Sequence, residues 1–420
     1  MLNIWSAHDT EIIMKEGKQC VKILVSNVGS TSLKFKLFSM PEETLLCDAK
    51  VERVGSQTEA IFYYHNALTN AVIQTEKCSI VTYSEGIRRF LQCMISPDTG
   101  VLADLKELDA IGFKTVLAKG YYGIHELTDE VLRGMEDYLF VAPAHNGPYL
   151  EAISHFRKLL PNAKLVGVFE TAFHTTIPLA RRMYAFPYEW YEKYGIKRMG
   201  YHGASHSYVA QTLQKEHGAT GRVISCHLGG SCSVCAIQDG KSIDNSFGFS
   251  LQTGIPHANR IGNMDPYVIP FLMNEGMELS DILAGFSKKG GLLGISGISN
   301  DLREIELAAE SGSERAALAI DVFVEAVVHH IGAYFAELGG LDHLVFTGGI
   351  GENSSTVRRK ICQAIRHLGV ELDEEKNNER RKDKRVISTA ASPADILVLP
   401  ANEEIGIARH TYTFIQDDKQ

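Results

Sequence analysis

The 420-residue sequence has no excess of positive charge: 42 Lys and Arg stand against 51 Asp and Glu, a formal net charge of -9. It contains no long basic run, which argues against nucleic acid or an anionic membrane as partner. An acidic chain can still hold a local basic pocket, so a small anionic substrate stays open. There is no paired CxxC…CxxC, and the eight cysteines are too dispersed for a secreted disulfide framework. Cys226, Cys232 and Cys235 fall in a strand-like alternation and read as small core residues, not metal ligands. No hydrophobic run reaches the length of a membrane span. The opening MLNIWSAHDTEIIMKEGKQ carries acidic residues where a signal peptide is apolar. These absences imply a soluble cytoplasmic protein. Residues 1–20 form an N-terminal extension of unknown role: a natural extension, a docking segment and a misassigned start all fit. No GxxxxGK[ST] occurs, and no GxGxxG follows the first strand, so neither a Walker A loop nor a Rossmann opening is present.

What is there is ordinary globular composition, 45% hydrophobic and 22% charged, over a length that suits two or three domains. An apolar strand at 21–25 enters the small-residue turn VGSTS and leaves as LKFKLF. The pattern recurs at 223–237, where the turn 229–231 joins two more strands, and this suggests a duplicated domain. Further strands read at LDAIGFKTVL, at AKLVGVFE and at 343–347. A helix over 315–338 carries apolar residues at helical spacing and is expected to be largely buried. Strands alternating with helices make the chain α/β. The charged run 373–385 reads as a solvated loop or helix face.

Three loops share one character: 27–32, 229–231 and 348–353, the last followed by a helix from about Ser354. Each follows a strand and is rich in Gly or Ser, which lets backbone N–H groups approach phosphate oxygens. Together they favour a nucleotide phosphate site of a design other than Walker A. Arg260 lies in a loop beside His257, Asn259 and Gly262, where its fork can grip a carboxylate or phosphate. Glu170 ends a strand, and Glu403 and Glu404 follow another, as a Mg²⁺–nucleotide site needs. His145 and His202 sit among glycine and proline, while His174 and His206 read as structural histidines.

The segments NVGSTSLKFKL, APAHNGP, FETAFHTTIP, YGIKRMGYHGASHSYVA, SCHLGGS, GLLGISGISNDLREI, LVFTGGIGENSSTVR and ANEEIGIAR, in this order, resemble the acetate kinase family over roughly 21–415. The resemblance implies two duplicated ribonuclease-H-like domains of the sugar kinase/actin/Hsp70 type, with ATP in the cleft between them. The expected boundaries are 21–170 plus 403–420 for the N-terminal domain and 171–402 for the nucleotide-binding domain. It further implies that Asn27 and Glu403 hold Mg²⁺ (or Mn²⁺). Ser30, Ser32, Lys34, His227, Gly229 and Gly230 are expected at the phosphates. Asp301, Leu302 and Arg303 are expected at adenosine, with Gly349, Gly351 and Asn353 beneath the nucleotide. Arg260, His202 and His145 are carried over as catalytic, and a homodimer is implied.

The chain departs from the family pattern in places. Lys114 stands for an arginine, so a bidentate grip becomes a point charge. Glu170 stands for an aspartate, Gly230 for an asparagine and Asn263 for an aspartate. In the acyl pocket Val116 fits, but Ala144, Tyr201 and Leu251 differ from the usual residues. The reading expected is an ATP-dependent carboxylate kinase making acyl phosphate and ADP, with catalytic Arg260, His202, Glu170, Lys114 and His145. Two rivals stay open: a kinase with a different carboxylate or phosphoryl donor, and a catalytically weak nucleotide-binding paralogue.

Overall fold

A computed structural model describes residues 20–418 apart from Ser30, Ala142 and Ala219, and leaves the side chains of 143–145 undescribed. All of the expected extension 1–20 except Cys20, the candidate Ser30, and the side chains of Ala144 and His145 therefore lie outside the described residues.

Two sheets organise the chain. The first contains β1 (Val21–Val28), β2 (Ser32–Met40), β3 (Thr44–Glu52), β4 (Ser56–Asn66), β5 (Val72–Ile80), β6 (Ala110–Thr115), β7 (Ile124–Glu126) and β8 (Lys164–Phe169). Its order is β5-β4-β3-β2-β1-β6-β8-β7. The second contains β9 (Arg222–Leu228), β10 (Cys232–Gln238), β11 (Lys241–Asn245), β12 (His343–Thr347), β13 (Arg385–Val386) and β14 (Asp395–Val398), in the order β11-β10-β9-β12-β14-β13. The same unit recurs in both. β1 pairs antiparallel with β2 and parallel with β6, which pairs parallel with β8. β9 pairs antiparallel with β10 and parallel with β12, which pairs parallel with β14. The hairpins expected at 21–37 and 223–237 are thus equivalent elements of a duplicated α/β fold.

β1 and β9 are central strands covered on both faces, so their sequences run almost continuously apolar. One face of the first sheet packs on helices Tyr83–Met94 and Pro143–Leu159, with Phe35 stacked on Phe90 at 4.4 Å. The opposite face meets helix Glu403–Asp417 through Ile405, Ile407, Ala408 and Ile415. Helix Gly203–His217 joins the halves: Ala204 belongs to the core over β1, β6 and β8, while Val209, Ala210 and Leu213 pack on β9, β10 and β12.

Two expectations need correction. Helix Glu314–Leu338 has 25 residues and a window of mean hydropathy 1.5, enough by length and composition alone to cross a membrane. It is only partly buried: Ala316, Ile320, Phe323, Val327, Ile331 and Tyr334 form a stripe against the second core, while Leu318 is exposed. The other concerns the expected glycine loop at 348–353, which is itself the short helix Gly348–Asn353, followed by Ser355–Ala364. Ser354 caps the second helix by accepting from the Val357 N–H at 3.0 Å, so a capping serine separates two helices.

Candidate active site

Asn27 on β1, Lys114 on β6, Glu170 just after β8 and His227 on β9 sit at or near the carboxyl ends of parallel strands. In the first hairpin, Asn27 lies opposite Lys34, and the Gly29 N–H donates to the Ser32 carbonyl at 2.8 Å. The buried Tyr149 hydroxyl accepts from the Val28 N–H and donates to Asn27 Oδ1, both at 3.2 Å, which fixes the asparagine amide. In the second hairpin, the Cys232 thiol and the Gly229 backbone bond each other, and the Cys232 N–H donates to His257 Nδ1 at 2.9 Å. A Cβ on Gly229 would stand 3.7 Å from the Gly349 nitrogen, so the turn and helix Gly348–Asn353 lie side by side. Neither Gly230 nor Gly349 has a heavy atom within 4 Å of where a Cβ would sit, leaving open space over both.

Lys114, on β6, reaches two carboxylates. Its Nζ is 2.5 Å from Glu403 Oε2 and 3.4 Å from Glu170 Oε1. Glu170 follows β8 and is only 4% exposed, and neither of its carboxylate oxygens has a satisfactory hydrogen bond among the described residues. Burial raises its pKa, against the pull of Lys114. Glu403 opens helix Glu403–Asp417, whose positive end favours a carboxylate. Burial acts to raise Glu403 too, but Lys114 foremost holds it below the usual carboxylate range. Burial works against the Lys114 ammonium, and the two carboxylates nonetheless raise its pKa well above normal. The Glu170 carbonyl accepts from the Gly203 N–H at 3.0 Å, and a Cβ on Gly203 would fall 2.4 Å from that oxygen, so only glycine fits this approach.

Two imidazoles stand beside this cluster. His202 and His227 have ring centroids 4.2 Å apart, and each Nδ1 is 2.8 Å from a serine hydroxyl, Ser233 and Ser205 respectively. Burial drives the His202 pKa well below normal, helped by His227 and Lys114, and brings that of His227 down to about 4, so both rings are neutral. His202 occupies the left-handed region at φ 58, as the residue preceding helix Gly203–His217. His174 and His206 are fully buried and hydrogen-bonded at both ring nitrogens, as structural histidines are.

Arg260 donates to the Leu251 carbonyl at 2.6 Å. Val116, Tyr201 and Leu251 all join the first core, together with Phe247, whose ring lies 5.1 Å from Tyr201 and 5.3 Å from His202. The Tyr201 hydroxyl donates to the Phe249 carbonyl at 2.6 Å, so it is tied down as well as buried. Farther along, Asp301 caps helix Leu302–Glu310, and the Arg303 guanidinium, its side chain 85% exposed, folds back on that carboxylate. Leu302 packs into the second core, which Ile350 also contacts, so these segments share one support.

A family model described as the acetokinase family matches residues 22–409. The chain belongs to the acetate kinase family. It is 42% identical to an acetate kinase of Shouchella clausii (strain KSM-K16), over 93% of this chain and 98% of that protein. An acetate kinase of Halothermothrix orenii is 41% identical over 94% of this chain and all of its own length. Among solved structures, Porphyromonas gingivalis acetate kinase superposes with a TM-score of 0.83 at 36% identity, covering 94% of this chain and 100% of that one. A propionate kinase from Francisella tularensis subsp. tularensis SCHU S4 also gives 0.83, at 32% identity over 93% and 98%.

As an acetate kinase family member the chain is a phosphotransferase whose acceptor is a carboxyl group, acting with ATP. Its structure brings Lys114, Glu170, Glu403, His202 and His227 into one electrostatic cluster. Tyr149, Ser205, Ser233 and Phe247 escaped the sequence reading. A faint signal existed for Ser233, since Ser225, His227 and Ser233 fall on one face of paired strands β9 and β10. Tyr149 and Phe247 gave none, because their partners are distant in sequence.

Proposed function

We propose that this acetate kinase family member transfers the γ-phosphoryl group of ATP, with Mg²⁺, to acetate or a similar short-chain carboxylate. The observation that carries the reading is the pair of carboxylates, Glu170 and Glu403, held around Lys114 beside two neutral imidazoles. The carboxylate substrate is already a nucleophile, so catalysis is positioning and neutralisation of charge on the transferring group. Arg260 grips the carboxylate and the phosphoryl group, while Val116, Tyr201 and Leu251 wall the acyl chain. Neutral His202 donates one N–H to the phosphoryl oxygens, and Lys114 contributes charge from the side of the carboxylates. The hairpin turn at Gly229 and Gly230, the segment at Lys34, and helix Gly348–Asn353 receive the phosphates. Asp301 and Arg303 face adenosine.

The residues present suit Mg²⁺. It needs only one or two carboxylates, with phosphate oxygens and water completing the octahedron. Both oxygens of buried Glu170 lack a satisfactory hydrogen bond, and Asn27 is oriented by Tyr149, so Asn27, Glu403 and Glu170 are the groups that would hold the ion or its waters. Held there, the ion would supply positive charge that offsets the charge of the phosphate oxygens. Among the described residues, no group of three or more His, Cys, Asp or Glu offers a metal site of another kind.

The reading also takes the chain as a cytoplasmic homodimer, in keeping with eight unpaired cysteines and with Tyr267 and Phe271 exposed by 77% and 62%. Sedimentation velocity tests the dimer. A weakly active paralogue is the second reading, favoured by Lys114 lying on the very carboxylates that would hold the metal. Mg-ATP incubated with formate, acetate, propionate, butyrate or buffer alone, with hydroxylamine trapping acyl phosphate, decides between them. A hydroxamate signal with one acid supports the kinase. ATP binding without acyl phosphate from any acid rejects it.

A further inference from the structure

Behind His202 lies a chain of hydrogen bonds that reaches away from the cleft. Ser233 Oγ is 2.8 Å from His202 Nδ1 and 2.8 Å from His206 Nε2, and His206 Nδ1 is 2.9 Å from Ser225 Oγ. Ser225, Ser233 and His206 are all completely buried. A serine hydroxyl has one proton. Ser233 therefore donates to one imidazole and accepts from the other, so the tautomers of His202 and His206 are coupled.

Ser225 sets the direction. Among the described residues its hydroxyl has no hydrogen-bond partner other than His206 Nδ1. If Ser225 donates, every proton along the path from Ser225 to His202 Nδ1 finds an acceptor. His206 then carries its proton on Nε2 and donates to Ser233, and Ser233 donates to His202 Nδ1. The reverse direction leaves the Ser225 O–H without an acceptor at a fully buried site, which is costly.

We propose that Ser225, His206 and Ser233 are positioning residues that hold neutral His202 as its Nε2–H tautomer, with that N–H free to donate to the transferring phosphoryl group. Nε2 has no partner among the described residues. A neutral imidazole assists an oxyanion only through an N–H, so the wrong tautomer would aim a lone pair at negative charge. Ser205 beside His227 Nδ1 repeats the device with one serine. This inference rests on the role given to His202 above.

The test is ¹⁵N spectroscopy of histidine-labelled full-length protein, with His202→Gln to assign the ring, recorded without substrate. Wild-type His202 is expected protonated at Nε2, with Nδ1 showing the shift of a hydrogen-bonded acceptor. Ser225→Ala, which touches neither substrate nor His202, should move both nitrogens toward a tautomer mixture. It should also lower kcat about tenfold at unchanged KM for ATP, less than the roughly 10²–10³-fold of losing a whole donor. Ser225→Thr should restore both readings. A wild-type His202 protonated at Nδ1 overturns the relay without recourse to any variant. So does a Ser225→Ala spectrum identical to wild type. Shifted tautomers with unchanged kcat leave the coupling standing but overturn the role of His202 in the reaction.

Discussion

Replacing Lys114 by methionine keeps its apolar stem and removes its charge. The ammonium lies 2.5 Å from Glu403 and 3.4 Å from Glu170, and all three side chains are less than one-fifth exposed. Two buried carboxylates would then face each other without a cation. Removing one partner of a buried ion pair costs about 3–5 kcal/mol. Part of that is relieved by protonating Glu170, whose pKa burial already raises. The relief costs about 1.4 kcal/mol for each unit by which the pH exceeds that pKa. A net loss of about 3 kcal/mol is expected near pH 7, read as a lower urea midpoint. The sign with pH follows. In the parent, the raised Lys114 pKa keeps its contribution intact below the ordinary lysine value, and it is lost only as pH rises through the folded value. In Lys114→Met the deficit should shrink as the pH falls, because Glu170, whose pKa burial raises, takes up a proton more readily than an exposed carboxylate. Mg²⁺ at a hundredfold excess over the variant's Kd should protect the variant by about 2.7 kcal/mol and the parent by less, because a competing cation is gone. A variant with the parent's midpoint at every pH, and no added Mg²⁺ protection, would refute the reasoning.

Arg260→Lys exchanges a planar fork for a point charge and should lower kcat for acyl phosphate formation about 10²-fold in the hydroxylamine assay. If Leu251 walls the acyl chain as proposed, Leu251→Ala should shift kcat/KM toward longer acids by about fourfold per added methylene, from about 0.8 kcal/mol of burial each. Tyr149→Phe leaves the Val28 N–H unpaired beside Asn27 and should cost about 1–3 kcal/mol in denaturant unfolding, with a raised KM for Mg-ATP. Gly203→Ala puts a Cβ 2.4 Å from the Glu170 carbonyl and should cost about 1–3 kcal/mol while displacing Glu170, read as a lower urea midpoint and lower kcat.

Local pattern carried much of the fold. The hairpins around Gly29 and Gly229 were legible because apolar strands bracket Gly/Ser turns, and β1, β9 and β12 lie where their apolar runs predict. Glycine misled at Gly348–Asn353, where Gly348 at φ 78 allows the backbone to approach the Leu228 carbonyl before the chain turns helical. Lys114 was legible as a departure, but not its direction, since its partners come from the residue after β8 and from a helix 289 residues away. The Ser225–His206–Ser233–His202 chain was hidden for the same reason: each side chain alone reads as an ordinary buried polar residue.

That separation bears on synthesis. Helix Glu403–Asp417 covers the face of β1 and β8 formed by Val21, Ile23, Val25, Val166 and Val168, and it also delivers Glu403 to Lys114. While the ribosome is still building the middle of the chain, that face is bare and one of the two carboxylates beside Lys114 does not yet exist. Apolar surface left bare in this way is prone to aggregate until the helix docks. A nascent chain would also be unable to assemble this cluster, so the cell would meet the proposed site only once the last helix has been made.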